Sequence, residues 1–94
     1  MATKIINGRK YNTETATFLW EYGIGRAIGY YELQLYRKRN GEYFCVHGGY
    51  KQTANGDYEW NWRFEPITEE EAVRRTVNYT DGDVYESIFG EVEE

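Results

Sequence analysis

The chain has little of what chemistry usually requires. Its 94 residues hold one cysteine, one histidine, one methionine and one proline. A lone cysteine cannot close an internal disulfide, which fits a reducing, cytoplasmic setting. Cys45 and His47 fall two ligands short of a structural zinc set, and no carboxylate spacing completes one. Read instead as nucleophile and base, the same pair sits two apart on a strand, about 6–7 Å between side chains and beyond hydrogen-bond reach. The pairs Gly23-x-Gly25 and Gly48-Gly49 are not followed by a helix, as a phosphate cradle requires. Asp81-Gly82-Asp83 lacks the spacing of a calcium loop. No apolar run is long enough for a transmembrane helix, so no membrane partner is expected. No charged-then-apolar leader opens the chain, so export is not expected either. These absences predict a protein that is not an enzyme and takes no metal or cofactor.

What the chain has is aromatic rings and unevenly placed charge. Ten Tyr, three Trp and four Phe stand in one short chain. A chain this long buries roughly 60–65% of its unfolded surface, so some rings must stay partly exposed, where Tyr and Trp favour protein interfaces. The formal charge is −5, but the first 64 residues carry nine basic and six acidic residues. From Glu65 to Glu94 there are ten acids against two bases, Arg74 and Arg75. Clustered like charges focus a field and steer association, which predicts an electropositive partner.

The pattern predicts a single α+β domain over 1–94, with 91–94 a frayed acidic tail. Thr3–Ile6 and Arg9–Tyr11 read as short strands about an Asn7-Gly8 turn. Asn12 or Thr13 reads as the N-cap of a helix over Thr13–Tyr22, with Ala16, Leu19 and Gly23 on one face. Ile24–Gly29 reads as a glycine-rich loop. Tyr31–Arg37 and Glu42–His47 flank Asn40-Gly41, a type I′ hairpin signal that pairs Leu35 with Val46 and Arg37 with Phe44. Its core face would carry Tyr31, Leu33, Leu35, Phe44 and Val46. Asn55-Gly56 marks another turn, and Asp57–Glu65 alternates as a half-buried strand closed by Pro66, with Tyr58, Trp60, Trp62 and Phe64 turned to the core. Thr68 and Glu71 form a capping box for a helix, and Asp81 or Asp83 caps a last helix over Asp83–Phe89. The expected architecture is therefore an antiparallel β-meander of three or more strands, packed by one N-terminal and two C-terminal helices. The helices would cover the face that bears Leu33, Leu35, Val46 and Trp60.

Two sets of residues are candidates for binding. Glu69, Glu70, Glu71, Asp81, Asp83, Glu86 and Glu91 form an acidic set that, gathered on one side, would imitate the phosphates of nucleic acid and occupy a basic cleft. The competing set is Tyr36, Arg37, Lys38, Arg39 and Tyr43, where cations beside exposed rings at the hairpin tip would hold single-stranded nucleic acid. The net charge and the lack of a basic stripe elsewhere weigh against direct nucleic-acid binding. Exposed rings also leave room for a homodimeric adaptor.

Five blocks carry a resemblance to a known family. They are Ile6-Asn7-Gly8-Arg9-Lys10-Tyr11-Asn12-Thr13-Glu14-Thr15-Ala16, Leu35-Tyr36-Arg37-Lys38 with Gly41-Glu42-Tyr43-Phe44, His47-Gly48-Gly49, Pro66-Ile67-Thr68-Glu69-Glu70-Glu71-Ala72, and Tyr85-Glu86-Ser87-Ile88-Phe89-Gly90-Glu91. In this order the chain resembles a family of small proteins encoded by phages and plasmids of low-GC Gram-positive bacteria, with an altered loop between Gly49 and Tyr58. Small acidic proteins of such elements resemble host-defence inhibitors, including anti-CRISPR proteins, some of them DNA mimics. The resemblance implies a non-enzymatic accessory protein that binds a host defence nuclease or CRISPR effector.

Overall fold

The structure is a computed structural model that describes residues 3–26 and 29–93. The elements run β1 (Thr3–Ile6), β2 (Arg9–Asn12), β3 (Thr17–Arg26), β4 (Gly29–Arg37), β5 (Tyr43–Gln52), β6 (Tyr58–Ile67), α1 (Glu69–Tyr79) and α2 (Gly82–Phe89). β1 and β2 form a hairpin of their own, and β3-β4-β5-β6 form a four-stranded antiparallel meander. The fold is α+β, as the pattern predicts, with two C-terminal helices.

The N-terminal helix is not there. Asn12 does cap one turn: its carbonyl accepts from the Ala16 N–H at 3.1 Å and its side chain from the Glu14 N–H at 2.8 Å. The turn is not continued, because Thr17-Phe18-Leu19-Trp20-Glu21-Tyr22 is rich in β-branched and aromatic residues that fit a pleated surface better than a helix. From Trp20 onward the period is two, with Trp20, Tyr22 and Ile24 on one face and Glu21, Gly23 and Gly25 on the other. A register shift between Phe18 and Trp20 sets this phase. The glycine-rich stretch is likewise strand at Ile24–Arg26 and Gly29. Of the loop expected there, Ala27 and Ile28 lie outside the described residues.

The β4–β5 hairpin forms in a different register from the predicted one. Lys38 N–H donates to the Glu42 carbonyl at 2.7 Å, and Gly41 N–H donates to the Lys38 carbonyl at 2.9 Å. Gly41 has φ 92°, so Arg39-Asn40 is the turn and Gly41 the left-handed bulge residue after it. The extra residue pairs Leu35 with Cys45 and Arg37 with Tyr43. A slip of one residue exchanges the faces of a strand. Tyr43 and Cys45 therefore join Leu33 and Leu35, while Phe44 and Val46 join Tyr36. The β5–β6 turn repeats the geometry, with Thr53 N–H to the Asp57 carbonyl at 2.7 Å and Gly56 at φ 87°.

Both faces of the sheet are consequently covered at one end. On one face, α1 and α2 pack against Trp20, Leu33, Leu35, Tyr43 and Cys45 through Ala72, Val84, Ile88 and Phe89. Trp20 Nε1–H donates to the buried Thr76 hydroxyl at 3.0 Å, and that hydroxyl donates to the Ala72 carbonyl at 2.7 Å. This satisfies the two buried polar groups where β3 meets α1. On the other face the β1–β2 hairpin lays Tyr11 edge-on against Phe44 at 5.4 Å, and Lys38 Nζ lies 4.4 Å from the Tyr11 ring centroid. Phe44 is sandwiched in the sheet direction by Tyr36 and Phe64, at 5.2 and 5.8 Å. Covering both faces explains why Tyr43, Phe44, Cys45 and Val46 are all buried in succession.

Both C-terminal helices start as predicted. Thr68 accepts from the Glu71 N–H at 3.1 Å. Glu71 does not close the capping box, because its carboxylate is held by Arg74 and Arg75. Asp81 caps α2 by accepting from the Val84 N–H at 3.0 Å. Pro66 lies inside β6 instead of ending it, which an edge strand tolerates.

Candidate functional site

Away from the packed end, the sheet runs on uncovered. β5 and β6 reach Gln52 and Tyr58, past the helices on one face and past the N-terminal hairpin on the other. The alternating stripe of β6 falls on the hairpin's face, opposite the helices, so the expected helix cover over Trp60 and Val46 is not there. Trp60 is 59% exposed, Trp62 54% and Tyr58 56%. Only Phe64, the member next to Phe44, is half-buried. The reason is positional: the β1–β2 hairpin is four residues a side and reaches only the Phe44 end.

The exposed rings are organised. Tyr50 contacts Trp60 at 4.7 Å, meets Tyr58 edge-on at 5.1 Å and stacks with Tyr30 at 6.0 Å. Trp62 lies flat over Gly48, where an added Cβ would fall inside its ring. Tyr30 likewise lies over Gly23. The glycines let rings from neighbouring strands lie down on the sheet, which yields a broad apolar surface. The ionisable side chains next to it on the same face are carboxylates, Glu21 and Glu32. Glu32 accepts from Gln34 Nε2 at 2.5 Å, and a hydrogen bond from Glu32 holds the Glu21 carboxyl above its usual range. The face is thus aromatic and acidic.

The opposite face carries a chain of ionic hydrogen bonds at the border of the helix layer. Arg75 forks onto Glu65 at 2.8 and 3.0 Å and reaches Glu71 with Nε at 2.7 Å. Glu65 also meets His47 Nε2 at 2.6 Å, and His47 Nδ1 meets the Tyr31 hydroxyl at 2.7 Å. A neutral ring with its proton on Nε2 satisfies both contacts: Nε2–H donates to Glu65 and Nδ1 accepts from Tyr31. The Arg75 fork, with His47 adding to it, lowers the Glu65 carboxyl to about 2. Burial pushes the neighbouring Cys45 thiol up, with Arg75 only partly opposing it. Cys45 is therefore a buried thiol and a poor nucleophile. Among the described residues no three His, Cys, Asp or Glu side chains are grouped to hold a metal. No described helix is long and apolar enough to cross a membrane.

The acidic set is divided. Glu69 and Glu70 are exposed at the start of α1, and Asp81 and Asp83 lie beyond its end, about 16 Å away by helical rise. Glu71 is neutralised by Arg74 and Arg75, which hold its carboxyl below the usual range. Asp81 is occupied as a cap, and Glu86 accepts from the Val92 N–H at 3.0 Å. α2 returns along α1 and sets Phe89 on Tyr43, which brings exposed Glu91 back toward the start of α1. Of the acidic tail, residues 91–93 are exposed and Glu94 lies outside the described residues.

The basic hairpin set is not brought together. Tyr36 is half-buried against Phe44, Tyr43 is buried on the opposite face, and Lys38 is bound to Glu42 at 3.0 Å and placed over Tyr11. Glu42 also pairs with Arg9 at 2.5 Å. Arg37 and Arg39 remain without a stacking surface between them. The platform that sequence reasoning missed is Tyr30, Tyr50, Tyr58, Trp60 and Trp62. Its signal is the Tyr58–Phe64 alternation facing glycine at position 48, which leaves the rings nothing to bury against. Comparisons with protein families, with curated proteins and with solved structures returned no match.

Proposed function

We propose that the chain is a non-enzymatic binding module that docks an electropositive protein on the aromatic and acidic face of its sheet. The observation that carries this is the uncovered surface of Tyr30, Tyr50, Tyr58, Trp60 and Trp62, bordered on its own face by Glu21 and Glu32. Contiguous exposed rings mark interaction sites, and Trp and Tyr dominate binding energy where they are desolvated. Carboxylates beside ring faces favour Arg and Lys, which gain both ion pairing and cation–π contact. The exposed acids of the helices, Glu69, Glu70, Asp83 and Glu91, add to the field that steers such a partner.

The resemblance to mobile-element proteins gives the partner's class: a host defence nuclease or CRISPR effector, whose nucleic-acid cleft is electropositive. The module would act as an inhibitor by covering that surface. The test is DNA cleavage by a panel of purified CRISPR effectors and restriction nucleases of low-GC Gram-positive bacteria, titrated with the protein and with Trp60→Ser/Trp62→Ser. The expected result is dose-dependent inhibition of a nuclease that the double variant loses while remaining folded. Inhibition unchanged in the double variant would refute the docking face. A dimer by light scattering that buries the rings, with no nuclease inhibited, would replace the reading with a homodimeric adaptor.

A further inference from the structure

On the helix side of the sheet's uncovered end lies an open cleft of about 550 Å³. It follows Gly48-Gly49, where no side chain fills the space, and its polar lining is Tyr31, His47, Lys51, Asn61 and Arg63. Gly49 has φ 152°, and a Cβ there would collide with the Tyr30 carbonyl. The gap is therefore built into the backbone and is open only to glycine.

The charge of this lining runs against that of the molecule. The chain has sixteen acids and eleven bases, yet no Asp or Glu lines the cleft, while Lys51 and Arg63 do. Neither cation has an ion-pair partner among the described residues, although four other cations, Arg9, Lys38, Arg74 and Arg75, do. Glu65, the carboxylate nearest the lining, is saturated by Arg75 and His47. Glu59, opposite Lys51 in the register, lies outside the lining. His47 is oriented by Glu65 and in turn fixes the Tyr31 hydroxyl, so the wall behind the two cations is rigid. The Tyr31 ring, exposed on this side, supplies a flat apolar surface next to them.

We infer that this cleft binds a phosphoryl group, held by Arg63 and Lys51 beside the Tyr31 ring. Arg63 offers a planar fork that matches two phosphate oxygens, and Lys51 a point charge. An aromatic wall next to paired cations suits a phosphate that carries a base, whether a free nucleotide or one unit of a single strand. The site lies on the face opposite the protein-docking rings and does not depend on that reading.

The test is a two-dimensional NMR titration of the protein with inorganic phosphate, thymidine monophosphate and an oligothymidylate of eight units, following the amides of Gly48, Gly49 and Asn61 and the Arg63 side-chain Nε–H. The expected result is saturable shifts confined to these groups, weakened severalfold in Arg63→Gln and in Lys51→Gln and unchanged in Trp60→Ser. With the oligonucleotide, each lost cation lowers the salt slope by about 0.7. Tighter binding of the monophosphate than of the strand assigns a small phosphorylated ligand; tighter binding of the strand assigns single-stranded nucleic acid. No saturable shift with any of the three probes would overturn the site, as would shifts that persist in the Arg63→Gln/Lys51→Gln double variant.

Discussion

The two ends of one sheet are built from similar residues and do opposite things. At one end Phe44, Tyr36, Phe64, Trp20 and Tyr43 are covered by a hairpin on one side and two helices on the other. At the other end Tyr30, Tyr50, Tyr58, Trp60 and Trp62 lie on the same strands with nothing over them among the described residues. Aromatic content therefore does not distinguish core from surface in this chain; cover does. The short β1–β2 hairpin and the helices both stop at the Phe44 end, and the glycines at 23 and 48 let the remaining rings lie flat. A stabilising role belongs to the first end and a binding role to the second.

The largest effect that would sharpen this contrast is Phe44→Ala. Phe44 is 0% exposed and touches Tyr11, Tyr36 and Phe64, so its loss should cost about 3–5 kcal/mol in urea unfolding. A cost near zero would mean that the hairpin does not seal that face. Thr76→Val comes next. It removes the acceptor of the buried Trp20 N–H without changing side-chain size, for an expected loss of about 1–3 kcal/mol.

Acid should act on the border between the ends. Glu65 is depressed in the folded state, to about 2, so its stabilisation is fully present above the unfolded pKa near 4.5. It is lost as the pH falls toward 2. Stability should therefore drop across that window, and Glu65→Gln should flatten part of the drop. Glu42 and Glu71, also held low by their partners, keep the rest. An unchanged slope in Glu65→Gln would remove the Arg75 fork from the account. The smallest effect on stability is expected from Glu69→Lys/Glu70→Lys, within about 0.5 kcal/mol. This variant should slow association with an electropositive partner at low salt and have little effect at high salt.

Much of the scaffold is legible in the residues. Asn7-Gly8, Asn40-Gly41 and Asn55-Gly56 each mark a real turn, and Thr68 and Asp81 each cap a helix. Two local ambiguities conceal the rest. An Asn-Gly dipeptide such as Asn40-Gly41 allows one loop residue more or less: Gly41 enters as a bulge, and that one residue exchanges Cys45 with Val46 between faces. Asn12 gives a true capping signal for a single turn, after which tertiary packing of Trp20 and Tyr22 takes the chain into a strand. The Tyr58–Phe64 period is real, but a period of two says only that one face differs from the other. Which face is covered depends on where a hairpin about 50 residues earlier ends, and no local pattern encodes that.

The central claim is that the β6 rings are a working surface and not part of the core. Urea unfolding of Trp60→Ser/Trp62→Ser beside wild type tests it most directly. With both rings more than half exposed, only ring–ring contact is lost, and the predicted cost is about 1–2 kcal/mol in all. A loss of about 4 kcal/mol or more, the size expected for buried Trp, would show that the rings hold the fold together and would contradict the account.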